Sequence, residues 1–320
     1  GTTPSNGTLA ELRASGGLSF DPAWQQPLQW SGRLEELQAR RRGSDFRTPW
    51  FHTKDFDITA EYDPLTGTPQ LTLGPGRAQL TNLAAHWSTL RLRGGESPAA
   101  EIEAEVEPFT VAPLMARLQP DFGWRGDLVV GGRIDVRSAP AFAAEIEFGR
   151  ISGDLSVAEE VETHKLELTD LRIALDARDG VWHFTHAMAG RRLGAMASAA
   201  TVRTDPKAIW PPADAPLQGV MELRIADLAA WGAWVPAGWR LRGALHASAA
   251  FGGQFGAPEF TGSIEGSGLG ARNLLEGIEL KDGELQIALK GETAEIVKLR
   301  ARGGEGSVDV TGGAKFGAAP

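Results

Sequence analysis

The chain contains no cysteine. This excludes disulfide staples, thiolate nucleophiles and cysteine-bound zinc, and it suits an oxidising compartment. No run approaches the ~20 apolar residues needed to cross a bilayer, and no signal peptide opens the chain. From its first residues, Gly1 to Gly7, and its end, Gly317-Ala318-Ala319-Pro320, we read it as a piece of a longer protein. There is no basic excess either. The net charge is −9 with both signs mixed along the chain, so nucleic acid is not an expected partner. The one dense basic run, Arg40, Arg41 and Arg42, reads as a solvated turn.

Reactive constellations are also missing. No Gly-x-Ser-x-Gly elbow and no His-Glu-x-x-His occurs. His183 and His186 stand three apart, on opposite faces of a strand, so they do not share a metal easily. The carboxylates alternate with apolar residues, as on a solvated sheet face rather than in an acid–base pair. Gly266 to Gly270 is glycine-rich, but no P-loop lysine with serine or threonine follows, and it reads as a turn. Neither catalysis, a metal nor a cofactor is expected.

What the chain does have is alternation. Hydrophobic residues make up 42% of it, with 40 glycines and 19 prolines, so many short ordered elements are expected. Ile102 and Val106 alternate with Glu101, Glu103, Glu105 and Glu107. Leu128, Val130, Ile134 and Val136 share one parity, as do Phe142, Ile146 and Phe148. The pattern returns at Leu171, Ile173 and Leu175, and at Met221, Leu223 and Ile225. It closes with Leu285, Ile287 and Leu289, then Val297 and Leu299. Successive strand side chains point to opposite faces, so each segment predicts a strand with one apolar and one charged face. Leu245, Phe260 and Ile264 join the same apolar set. Breaks are expected at Gly131-Gly132, Asp179-Gly180, Lys281-Asp282-Gly283 and Gly303-Gly304.

Two short helices are predicted. Residues 111–118 space Val111, Leu114, Met115 and Leu118 on one stripe, with Pro113 early and Pro120 just beyond. Residues 227–234 place Leu228, Trp231 and Trp234 after Asp227, a plausible cap, and before Pro236. Each is followed by a Trp–Arg–Gly–Leu echo: Trp124, Arg125, Gly126, Leu128 in one case and Trp239, Arg240, Gly243, Leu245 in the other. A repeat on the order of 100 residues implies concatenated units. We expect three, at 1–100, 101–215 and 216–320, sharing one elongated groove. The proline-bearing stretch Arg203 to Gly219 is read as a loop before the last.

The order of these segments resembles the TamB family of translocation and assembly module proteins, relatives of AsmA-like and bridge-like lipid transfer proteins. The residues that carry the resemblance are Phe255-Gly256-Ala257-Pro258-Glu259-Phe260-Thr261-Gly262, Gly268-Leu269-Gly270-Ala271-Arg272-Asn273-Leu274-Leu275-Glu276-Gly277-Ile278, and Leu280-Lys281-Asp282-Gly283-Glu284-Leu285. Leu114 to Trp124 and Trp182-His183-Phe184 are similar to the family as well. The resemblance implies an all-β fold, an elongated, curled, U-shaped antiparallel sheet with an apolar concave side. It implies a periplasmic location, an inner-membrane anchor, and an outer-membrane BamA-like partner, TamA, met through other parts of the full-length protein. It implies transport of phospholipid and support of outer-membrane biogenesis, with no catalytic residues. The expected occupants of the groove are phospholipid acyl chains, lined by the apolar set named above. The competing expectation is a chaperone groove that pairs with nascent outer-membrane strands.

Overall fold

Alternating segments fold as strands because extended backbone sends every second side chain to one face, and pairing those strands buries the apolar half against its neighbours. The computed structural model describes residues 8–41, 49–96, 98–119, 123–158, 163–234, 238–273 and 275–315. The chain begins with β1 (Thr8–Ser19), β2 (Leu28–Arg41), β3 (Phe51–Asp63), β4 (Thr68–Leu73), β5 (Gly76–Leu80), β6 (Leu83–Arg93) and β7 (Ala99–Thr110). Helix α1 (Ala112–Leu118) follows, then β8 (Trp124–Gly126), β9 (Val129–Arg137), β10 (Ala143–Ser152), β11 (Leu155–Ala158) and β12 (Thr163–Lys165). After these come β13 (Leu168–Arg178), β14 (Val181–Gly190), β15 (Gly194–Arg203) and β16 (Leu217–Ile225). A 3₁₀ turn (Leu228–Trp234) leads to β17 (Trp239–Gln254), β18 (Ala257–Asn273), β19 (Ile278–Gly291), β20 (Thr293–Gly303) and β21 (Gly306–Lys315). The chain is all-β with antiparallel pairing.

Contacts divide it into two compact units, one of Gly1–Phe109 with Val130–Phe148, the other of Thr110–Val129 with Gly149–Pro320. In the first, β1, β2 and β3 pair in order; β4 and β5 each pair with both β3 and β6, and β6 pairs with β7. β9 lies beside β7, where the Ser138 N–H donates to the Ala100 carbonyl at 2.9 Å, and β10 pairs with β9. Leu34, Phe56 and Trp87 are buried together, joined by Ile58, Leu73 and Leu90. The Phe56 and Trp87 rings meet edge to face at 5.0 Å.

In the second unit, β13 to β21 form a nine-strand meander, each strand antiparallel to the next. A small sheet of β12, β11 and β8 stands apart. The Asp179-Gly180 hairpin forms as expected, with φ of 50° and 77° that glycine, and less readily aspartate, accepts. The loop between β15 and β16 falls where the prolines are; its ends are tied by the Thr204 N–H to the Gly180 carbonyl at 2.7 Å and the Phe255 N–H to the Ala215 carbonyl at 2.9 Å.

Three expected breaks are not breaks. Gly131-Gly132 lies inside β9, Gly266 to Gly270 inside β18 and Lys281-Asp282-Gly283 inside β19. Packing explains them: a Cβ at Gly132 would meet the Phe148 ring, and one at Gly283 would sit 2.7 Å from the Leu269 Cβ. The expected helix at 227–234 is a 3₁₀ turn, opened by the Asp227 carboxylate accepting the Ala229 N–H at 3.0 Å. Arg40 and Arg41 lie in β2 rather than in a turn, and Arg40 pairs with Glu11 at 2.6 Å. Arg42, Pro120, Pro236 and Leu274 lie outside the described residues.

Candidate functional site: an apolar sheet face

Directly paired residues on neighbouring strands project from the same face, so the register of the meander sets what each face carries. One row crosses all nine strands: Leu171, Met188, Met196, Leu223, Ala247, Ile264, Ile287, Ile296, Gly312. The next is Ile173, His186, Ser198, Met221, Ala249, Gly262, Leu289, Ala294, Ala314. A third runs Leu175, Phe184, Ala200, Gly219, Phe251, Phe260, Gly291. On the other side lies Ile225, Leu245, Gly266, Leu285, Leu299, Val310. At an inter-strand spacing of ~4.8 Å, a nine-strand row spans about 40 Å.

These rows bring together Leu171, Ile173, Leu175, Met221, Leu223, Ile225, Leu245, Phe260, Ile264, Leu285, Ile287, Leu289 and Leu299 of the predicted lining. Val297 is not among them. A bulge in β20 opposite Gln286 and Ile287 drops it from the pairing, and Ile296 takes the facing position. In the first unit, Ile102 ends a similar row through Gly32, Ile58, Leu73 and Leu90. Val106 and Val130 are buried, at 5% and 7% exposure. Ile134 and Val136 sit in β9, Ile146 and Phe148 in β10, and Phe142 just before it. Leu128, in the second unit just ahead of β9, is 1% exposed and packed as core.

The apolar rows of the second unit are mostly half-buried rather than sealed, with Ile173 53% exposed. One stretch hollows into a pocket of about 380 Å³ over Ser198 and Ala200, walled by Phe184, Met196, Met221, Phe251 and Phe260. Gly219 makes room for it: a Cβ there would strike the Phe251 ring. Beside the pocket, Trp210 of the proline-bearing loop meets Trp182, Phe184 and Phe255 edge-on at 5.9, 6.3 and 6.1 Å. Few of these residues were visible as lining in the sequence. Trp182, Phe184 and Met188 do alternate, but Met196, Ser198 and Ala200 alternate only with other small residues.

The opposite face is ionic. The row Arg224, His246, Glu265, Gln286, Lys298 crosses five strands, and its members line a larger hollow of about 970 Å³ together with Ile225, Leu245 and Leu285 of the apolar rows. That hollow mixes charged with apolar lining, whereas among the described residues no Asp, Glu, Lys or Arg lines the pocket over Ser198 and Ala200. Arg77 hydrogen-bonds Glu107 at 2.5 Å and holds its carboxyl below the usual range. Glu222 is lowered first by His246 and then by Arg224, and Glu284 by Lys298. Among the described residues no group of three or more His, Asp or Glu is placed to hold a metal, and no helix is long and apolar enough to cross a membrane.

Fold and register together define the class: an antiparallel all-β protein whose second unit carries one charged and one half-buried apolar face. Comparison of the chain with protein-family models, curated proteins and solved structures finds no match.

Proposed function

We propose that the apolar face carries lipid acyl chains, and that the chain is a periplasmic stretch of a bridge between the bacterial inner and outer membranes. In this reading it serves phospholipid transport and outer-membrane biogenesis as part of a protein anchored in the inner membrane, with an outer-membrane BamA-like partner, TamA, engaged elsewhere. The observation that supports it is the row from Leu171 to Gly312, which crosses β13 to β21 without a polar side chain and is mostly half-buried. Exposing an acyl chain to water costs ~0.8 kcal/mol per methylene, on the order of 10 kcal/mol for a ~16-carbon tail. A row without polar side chains offsets most of that and lets the tail slide. The charged parity keeps the other side hydrated.

Native mass spectrometry with lipid extraction tests this. Phospholipid is expected to accompany the purified chain and to be lost in Ile287→Lys while the circular dichroism spectrum is unchanged. A lipid-free protein that also refuses added fluorescent phospholipid overturns the proposal. The second reading, a groove that pairs with nascent outer-membrane strands, is favoured by β21, which is exposed at every residue. It predicts binding of extended peptides in place of lipid.

A further inference from the structure

We propose that the pocket between β14 and β18 is a fixed seat on this face, where His186 and Ser198 hold the carbonyl end of an acyl chain. This rests on the acyl-carrying reading and adds a station to it. Along the four cross-strand rows every side chain is apolar or absent save these two. They are direct cross-strand partners, and both line the pocket. Neither side chain has a hydrogen-bond partner among the described residues.

That pairing is costly for plain hydrocarbon. A tail laid over two polar groups strips their water and returns nothing, at about 1–3 kcal/mol per unsatisfied group. A carbonyl oxygen has two lone pairs and accepts from both the serine hydroxyl and an imidazole N–H. The pair therefore selects against the middle of a chain and in favour of its oxygenated end. The rest of the pocket fits the hydrocarbon beyond that end. At about 30 Å³ per water-sized group, its volume of about 380 Å³ holds on the order of a dozen methylenes. The rings of Phe184 and Phe255, stacked at 6.2 Å with Trp210 edge-on to both, border it on one side. Phe251 and Phe260, 5.9 Å apart, border it on the other. The long row through Met188, Leu223, Ile264 and Ile287 carries no such polar pair or ring wall.

The ligand chemistry is one acyl chain with its carbonyl oxygen, from either a free fatty acid or a phospholipid ester. The test uses diazirine-tagged palmitic acid and, separately, diazirine-tagged phosphatidylglycerol in vesicles, with the labelled peptides mapped after photolysis. Label is expected to concentrate on peptides spanning residues 184–200 and 251–260. In the double variant His186→Leu with Ser198→Ala it falls there about tenfold, the loss of one to two hydrogen bonds, while label on β19 and β20 persists. Ala200→Phe, which fills the pocket and leaves His186 and Ser198 unsubstituted, has the same effect. Label from one probe alone at these peptides supports the seat and names its source. Label spread evenly over β13 to β21, or unchanged in the double variant, overturns the seat and leaves the acyl-carrying face standing. Absence of label from both probes overturns both.

Discussion

The two units share one binary pattern and use it differently. In the first, large side chains close over each other: Leu34, Phe56 and Trp87 are 3, 5 and 9% exposed. In the second, the same parity carries Ala200, Ser198, Gly219 and Ala249 between bulkier neighbours, and a hollow remains. Both exploit one device, a glycine with an aromatic ring laid over it. Trp87 covers Gly76 in the first unit and Phe251 covers Gly219 in the second. What decides between core and groove is the size of the residues around that ring, not the alternation itself.

The largest expected effect probes this difference. Phe56→Ala should cost about 3–5 kcal/mol, as a sealed aromatic does. Met221→Ala, half-buried beside the pocket, should cost about 1–2 kcal/mol. Urea unfolding followed by hydrogen exchange in each unit measures both; equal losses would mean that the second face is sealed core. Next in size is the ring-over-glycine device. Gly219→Ala drives a methyl into Phe251 and should cost about 1–3 kcal/mol. Gly312→Ala meets nothing within 4 Å and should stay within about 0.5 kcal/mol of the parent by the same melt.

The smallest effect comes from the charged face, where the units should behave alike. Glu107 in the first unit and Glu222 and Glu284 in the second have folded values below the ordinary 4.5. Their contribution is complete above that value and is lost as pH falls through the depressed ones. Melting temperature should therefore fall with acidification below about pH 4.5, and Glu107→Gln should flatten part of that slope. A profile that stays level would show that these exposed pairs add nothing to stability.

Much of the sheet was legible because large apolar residues alternate with charge, as at Ile102 to Glu107 or Leu285 to Lys290. β15 was not, since Ala195, Ala197 and Ala199 on one face contrast little with Met196, Ser198 and Ala200 on the other. The parity of β20 was misread at Val297 because one bulged residue exchanges the faces on either side of it. Glycines were read as turns where they make room for a neighbour, as Gly132 does for Phe148. The pocket stayed hidden because alternation tells which face a residue takes, whereas a hollow depends on which small residues fall side by side across β14 to β18.

The bulges have a consequence of their own. Pairing slips between Arg242 and Ala244 in β17, between Gly266 and Leu269 in β18, and between Lys281 and Glu284 in β19. The three irregularities lie at one level on consecutive strands, and each bends its strand. Together they form a crease written into the backbone, held by Gly243, Gly268 and Asp282 at positive φ. Curvature at that line belongs to the main chain, whereas the greasiness of the face belongs to side chains. The side chains of the face can thus be exchanged residue by residue while the sheet keeps its bend.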